Sequence, residues 1–261
     1  MSRSYATLKL ERQGRVLTVR LSRPEVRNAF DERLLKEAAE AFAAADADPG
    51  VRVVVVTGEG EAFCSGADLA WLRKVVDYTR SENLADTRAV VAAFSSLHRM
   101  SKPTVAAVNG PAIGGGMGFA AACDVVVASE DAVFGLSEVR LGVVPACVAP
   151  FLLKRAPAGR LRRWMLSGER FDTRTAASLG LVDLVVPRAE VLTAAYGVAK
   201  GMAQGAPGAQ AVVKSILDKM PEMTLSQALE HSVEVLAGLR AGPEAQKGTR
   251  AFLDKKPCSW E

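Results

Sequence analysis

Residues 108–118 read Val-Asn-Gly-Pro-Ala-Ile-Gly-Gly-Gly-Met-Gly, and their chemistry is that of exposed main chain rather than side chains. The consecutive Gly114, Gly115 and Gly116 allow a sharp turn and let N–H groups approach a ligand with no Cβ in the way. The run leaves a β-like segment, Thr104–Val108, and opens into a small-residue helical run ending near Cys123. A helix start adds unpaired N–H donors and the positive end of the helix dipole. Such a place suits an anion: a phosphate, or an oxyanion that exists only in a transition state. A dinucleotide fingerprint would read Gly-x-Gly-x-x-Gly and a P-loop would end in Gly-Lys-Ser/Thr, and neither pattern is present here. Two readings remain from this stretch, an oxyanion site or glycines that only let a helix pack closely on a strand.

A second loop has the same build. Val51–Gly58 is an apolar, β-branched run expected of a strand buried on both faces. It runs out through Glu59-Gly-Glu-Ala-Phe-Cys-Ser-Gly-Ala-Asp-Leu69 into a helical stretch, where Asp68 has the plain structural role of N-cap available. Loops that leave the carboxyl ends of neighbouring buried strands form the usual ligand sites of open α/β folds. Two such loops can present two N–H donors to one oxygen.

Taken together, Phe63-Cys-Ser-Gly-Ala-Asp-Leu69, Asn109-Gly-Pro-Ala-Ile-Gly-Gly-Gly116, Cys123-Asp124 and Phe134-Gly-Leu-Ser-Glu-Val-Arg-Leu-Gly-Val-Val-Pro145 resemble the signatures of the crotonase superfamily, the enoyl-CoA hydratases and isomerases. Arg27-Asn28-Ala29 and Leu179-Gly-Leu-Val-Asp183 match as well, so the resemblance runs from about Val16 to Val186. It implies an α/β fold, a spiral of repeated ββα units with a C-terminal helical region. It also implies that the N–H groups of Ala67 and Gly115 form an oxyanion hole for a thioester carbonyl, with Glu138 as the acid/base carboxylate. Ala29, Ser65, Ala67, Asp68, Leu69, Gly114, Gly115 and Trp71 would line the CoA and acyl groups, Trp71 serving equally well as plain core packing.

Gly118 departs from the pattern, because typical hydratases of the family carry a second glutamate there. The resemblance therefore implies hydration or dehydration of an α,β-unsaturated acyl-CoA through a single glutamate, with a Δ3,Δ2-enoyl-CoA isomerase or a non-catalytic acyl-CoA binder as alternatives. Gly66-Ala-Asp-Leu-Ala-Trp-Leu-Arg73, Glu82-Asn-Leu-Ala-Asp86 and Ser137–Ala146 look like a bacterial methylglutaconyl-CoA hydratase subgroup that shares this glycine. A dicarboxylyl thioester would need a cation, and Arg73, Lys74 and Arg140 are near in sequence, though long cations beside loops are usually solvated.

The bulk properties agree with a soluble enzyme. The 261 residues can bury a full core, and 49% hydrophobic with 24% charged residues is ordinary for a globular chain. A net charge of +4, with no Lys/Arg block, argues against a nucleic-acid partner and would attract CoA phosphates. Arg155, Arg160, Arg162 and Arg163 read as a solvated helix face. Cys64, Cys123, Cys147 and Cys258 have no metal spacing, and Cys64 and Cys123 read as core fillers. His98 and His231 lie in helical stretches with no triad partner, so neither a metal nor a Ser-His mechanism is expected. Met1–Tyr5 is not an apolar leader and no segment is apolar enough for a membrane span, which points to the cytoplasm.

The positioning elements follow from periodicity: strand Val16–Leu21, helix Asp31–Ala45 with Leu34, Leu35, Ala38 and Phe42 inward, strand Val51–Thr57 and strand Thr104–Val108. Helix Gly115–Cys123, strand Asp124–Ala128 and a short strand at Val133–Phe134 come next. Leu69–Asp86 is expected to be a mobile helix-loop over the acyl end, and Asp86–Arg99 a helix stopped before Lys102-Pro103. Residues 1–188 are read as the site-bearing α/β body and 189–261 as a helical region for oligomerisation and site coverage. No permanent cofactor is expected beyond coenzyme A as part of the substrate. The resemblance further implies a homotrimer or a dimer of trimers, with Phe252, Lys255 and Trp260 covering CoA, contacting a neighbour, or simply packing.

Overall fold

The structure, a computed structural model, describes residues 4–260. An antiparallel pair, β1 (Leu8–Gln13) and β2 (Val16–Leu21), leads into α1 (Glu32–Ala47) and β3 (Val53–Gly58). Next come α2 (Leu69–Val75), α3 (Arg80–His98), β4 (Thr104–Val108), β5 (Ala112–Ile113), α4 (Gly115–Ala122), β6 (Val125–Ser129) and β7 (Val133–Gly135). After a 3-10 turn at Ser137–Leu141 follow α5 (Ala149–Arg155), α6 (Ala158–Ser167), β8 (Arg170–Asp172), α7 (Thr173–Leu179) and β9 (Leu184–Val186). The remainder is helical: α8 (Val191–Met202), α9 (Pro207–Lys219), α10 (Leu225–Ala241) and α11 (Pro243–Leu253).

The main sheet has the order β1-β2-β3-β4-β6-β9 and is parallel from β2 onward. Its central strands β3, β4 and β6 are Val/Ala-rich runs, as expected where both faces are covered. Side chains alternate across the sheet: Val54, Val56, Ala106, Val108 and Val126 enter the core shared with α1, α3 and α4. Val53, Val55, Val105, Ala107 and Val127 pack instead on Val191, Ala195 and Ala199 of α8. The second sheet, β5-β7-β8, stands at the ends of these strands and carries the chain from the glycine loop to Ser137. Repeated strand, strand, helix turns of this kind make the spiral that the sequence resemblance implies.

Several expectations are corrected. The region 69–86 is not one helix-loop: α3 already starts at Arg80, because Thr79 and Glu82 form a reciprocal capping box. Arg155 is not solvated, since its guanidinium donates to the carbonyls of Cys123 and Asp124 and pairs with Asp183. The strands β1, β5, β8 and β9 lie outside the sequence expectations; each is short or exposed and gains its strand character from pairing with a neighbour. Among the described residues no helix is long and apolar enough to cross a membrane.

Candidate active site

The two glycine-bearing loops leave the adjacent strands β3 and β4 and run side by side. The Cys64 N–H donates to the Pro111 carbonyl at 3.1 Å, and the Ile113 N–H to the Cys64 carbonyl at 3.0 Å. On its other side the first loop pairs with Phe30: Phe30 N–H donates to the Gly66 carbonyl at 2.8 Å, and Asp68 N–H to the Phe30 carbonyl at 2.9 Å. In such a parallel bridge the intervening Ala67 turns its own N–H away from Phe30. Gly115 is the first residue of α4, so its N–H has no partner within the helix. A Cβ placed on Gly66 would lie 3.8 Å from the Gly115 nitrogen, so the loops carrying Ala67 and Gly115 are in contact.

The Glu138 carboxyl sits against the same loop. The 3-10 turn 137–141 places Oε1 3.0 Å from where a Gly114 Cβ would be, and Gly114 holds φ 54°, ψ −120°, which only glycine adopts readily. Oε2 is buried and has no hydrogen-bond partner. Burial pushes this carboxyl above its ordinary range, opposed only by a bond to its own backbone N–H.

Glu138, Gly114 and Gly115 line a cavity of about 380 Å³ together with Phe30, Trp71, Asp86 and an apolar wall that includes Leu141, Val143 and Val144. An adjoining groove of about 760 Å³ is lined by Ala29, Asp68, the cations Arg27, Arg73 and Arg170, and Val133. Ser65, Ala67, Leu69 and Ile113 border both spaces, so groove and cavity meet at the paired loops. Every expected site residue except Gly118 thus lies on one of the two walls.

Gly118 lies behind the cavity. A Cβ there would come within 2.8 Å of the Phe94 ring, which is locked edge-to-face on Phe119 with centroids 4.8 Å apart. Trp71 serves both roles considered for it, packing on Phe30 at 5.6 Å between centroids while lining the cavity. Asp68 caps α2 by accepting the Ala70 N–H at 2.7 Å and pairs with Arg23 at 2.8 Å. Burial would raise its pKa, but the Ala70 and Arg23 bonds outweigh that and hold it below the usual carboxylate range.

The cations considered for the acyl end do not reach it. Arg73 opens onto the outer groove, Lys74 faces Glu32 at 3.7 Å, and Arg140 donates to the Ser167 carbonyl at 3.1 Å. Other motif residues prove to be braces. Asn28, fully buried at φ 56°, donates to the carbonyls of Glu59 and Ala62, and Asp124 accepts the Thr104 N–H at 2.7 Å. Asp183 likewise accepts the Val126 N–H at 2.7 Å.

Three residues of the site were not singled out from sequence. Arg23 bridges Ala29, Asp31 and Asp68, Arg170 arrives on β8, and Asp86 faces the cavity from α3. Arg23 and Arg170 belong to no motif, while Asp86 lies in a quoted one whose function the sequence does not disclose. His98 pairs with Asp218 at 3.1 Å, away from the cavity. Cys64 and Cys123 are buried, and burial pushes both thiols up to about 12. Among the described residues no group of three or more His, Cys, Asp or Glu is arranged to hold a metal.

Residues 11–261 match the family model described as enoyl-CoA hydratase/isomerase. The chain is 36% identical to the 2,3-dehydroadipyl-CoA hydratase of Escherichia coli over 95% of this chain and 96% of that one. It is 32% identical to the enoyl-CoA hydratase EchA19 of Mycobacterium tuberculosis over 97% and 95% of the two chains. The crystal structure of an enoyl-CoA hydratase from Shewanella pealeana superposes with a TM-score of 0.94 at 30% identity, covering 97% of this chain and 96% of that one. The chain therefore belongs to the enoyl-CoA hydratase/isomerase family, within the crotonase superfamily. More narrowly, it is an enzyme of the enoyl-CoA hydratase type, a lyase.

Proposed function

We propose that this chain adds water across the α,β double bond of an acyl-CoA thioester. The N–H groups of Ala67 and Gly115 hold the thioester oxygen, and Glu138 exchanges the proton at the α carbon. The observation that carries this reading is the part-buried Glu138 carboxyl, whose Oε2 is buried without a partner and which is set against the Gly114–Gly115 turn. Protonating or deprotonating the α carbon passes through an enolate, and each preorganised donor at its oxygen is worth about 3–4 kcal/mol. A carboxyl held above its ordinary range keeps its proton closer to neutral pH, as a general acid requires. CoA lies along the outer groove, past Ala29, Ser65, Asp68 and Leu69, with Arg27, Arg73 and Arg170 facing its phosphates. No cofactor beyond that CoA enters the reaction.

Within this class, the subgroup motifs and the relative named for 2,3-dehydroadipyl-CoA both support a dicarboxylyl acyl group, 3-methylglutaconyl-CoA first among them. Among the described residues the cavity wall has no Lys or Arg to meet a distal carboxylate, and this supports an uncharged acyl chain, which we place ahead. Incubation with crotonyl-CoA and 3-methylglutaconyl-CoA in heavy-oxygen water tests both points. Oxygen label in the product is expected, with the higher kcat/KM for crotonyl-CoA; a reversed preference overturns the neutral pocket. The glycine at 118 favours one competing reading, a double-bond isomerase. That reading requires β,γ-unsaturated thioesters to be consumed with no label incorporated.

A further inference from the structure

The family's second carboxylate is missing at Gly118, and the packing of Phe94 leaves no room to put one there. The same cavity nevertheless holds a second acid. Asp86, on the second turn of α3, lines it along with Thr87, Val90 and Phe94, which follow at helical spacing on one face. The buried Trp71 indole N–H donates to Asp86 Oδ1 at 3.0 Å. That bond fixes the carboxyl's orientation through a ring that is itself clamped on Phe30. It engages one oxygen and leaves Oδ2 for another donor.

We propose that Asp86 is the second catalytic carboxylate of this enzyme, holding the water that adds to the β carbon and taking its proton. The assignment rests on the hydratase reading above. In the step, the water oxygen bonds to the β carbon while one of its protons passes to Asp86. The double-bond electrons move toward the thioester oxygen, held by Ala67 and Gly115, and protonated Glu138 delivers a proton to the α carbon. Asp86 then releases its proton to solvent and Glu138 regains one, so the sum is one water added per double bond. Desolvation raises the Asp86 carboxyl above its ordinary value, with the Trp71 bond acting the other way. The nearby Glu32 charge adds to the rise, and the part-buried Asp86 lies on the cavity wall.

The two carboxylates separate in two assays on one preparation: hydration of crotonyl-CoA in heavy-oxygen water, and deuterium exchange at the α carbon of butyryl-CoA, which needs no water addition. Asp86→Asn, whose amide oxygen can still accept the Trp71 N–H, is expected to lower hydration about 10²–10⁴-fold. Exchange should stay within a few-fold of wild type. Asp86→Glu, which keeps a carboxylate, should recover part of the hydration rate, and Glu138→Gln should lower both reactions by about 10²–10⁴-fold. Hydration by Asp86→Asn at the wild-type rate overturns the proposal, as does an equal loss of hydration and exchange, which would mark a collapsed cavity. If wild-type protein incorporates no label from any enoyl thioester, the hydratase reading itself fails and the assignment of Asp86 falls with it. That failure shows in the control before any variant is made.

Discussion

Glu138 is the residue on which chemistry and stability pull in opposite directions. Its folded-state pKa is raised, so the native chain binds its proton more tightly than the unfolded chain does. Stability from this group is full below the ordinary value of 4.5 and is lost as pH rises through the higher folded value. Glu138→Gln removes that loss, so its melting temperature should gain on wild type as pH goes from 4 to 7, while kcat falls by about 10²–10⁴-fold. A melting difference that does not vary with pH would contradict a desolvated carboxyl with no partner on Oε2. Gly118 gives the complementary case. Even Gly118→Ala must displace the Phe94 ring and should cost about 1–3 kcal/mol in denaturant titration. Gly118→Glu is expected to be worse still and to add no hydration rate, because its side chain would start against the Phe94 ring.

At the scale of elements, the proposed oxyanion geometry depends on how α2 and the strand-end loops are tied down. Arg23 does much of this from the segment before α1, bonding the Ala29 carbonyl and pairing with Asp68 at 2.8 Å and Asp31 at 3.2 Å. Its side chain is 16% exposed and that of Asp68 is 7%, so the pair is little screened. Arg23→Met should therefore destabilise by about 2–3 kcal/mol at pH 7 and raise KM for acyl-CoA. The Asp68 pKa is depressed, so the pair's contribution is present above 3.8 and lost as pH falls through the lower folded value. The gap between Arg23→Met and wild type should shrink accordingly below about pH 4, and chemical denaturation at pH 7 and pH 3 measures it. Helix boundaries near the site follow caps rather than periodicity. The Thr79/Glu82 box starts α3 early enough to bring Asp86 onto a rigid helix.

The whole molecule leaves apolar surface uncovered. On α10, Leu225, Leu229, Val233 and Leu236 are exposed and recur on one helical face. We propose that this stripe meets a neighbouring copy in a trimer or a dimer of trimers. Light scattering should give a mass of three or six chains, and the double variant Leu229→Glu, Val233→Glu should shift it toward one. A monomeric wild type would remove that assignment. Trp260 is occupied within its own chain, its indole N–H donating to the Gln204 carbonyl at 2.8 Å while Arg52 donates to its backbone oxygen at 3.0 Å. Phe252, in contrast, is 82% exposed and available to a partner.

The strands β2, β3 and β4, helices α1 and α4, and the paired glycine loops were legible because local pattern and burial agree there. Continuous Val/Ala runs suit a strand between two covered faces, and Gly114–Gly116 mark a turn and close helix packing that side chains would block. Glu138, by contrast, was legible only through resemblance to a family, since nothing in Ser-Glu-Val-Arg marks that acid as buried. What the chain order could not express is which distant residues share one cavity. Asp86, Arg23 and Arg170 are ordinary surface residue types, and their meaning comes from long-range packing: α3 on the glycine helix, Arg23 under Asp68, β8 beside β7. Burial and desolvation are properties of the assembled fold. Residue type alone therefore names the possible acids, and tertiary contact decides which of them work.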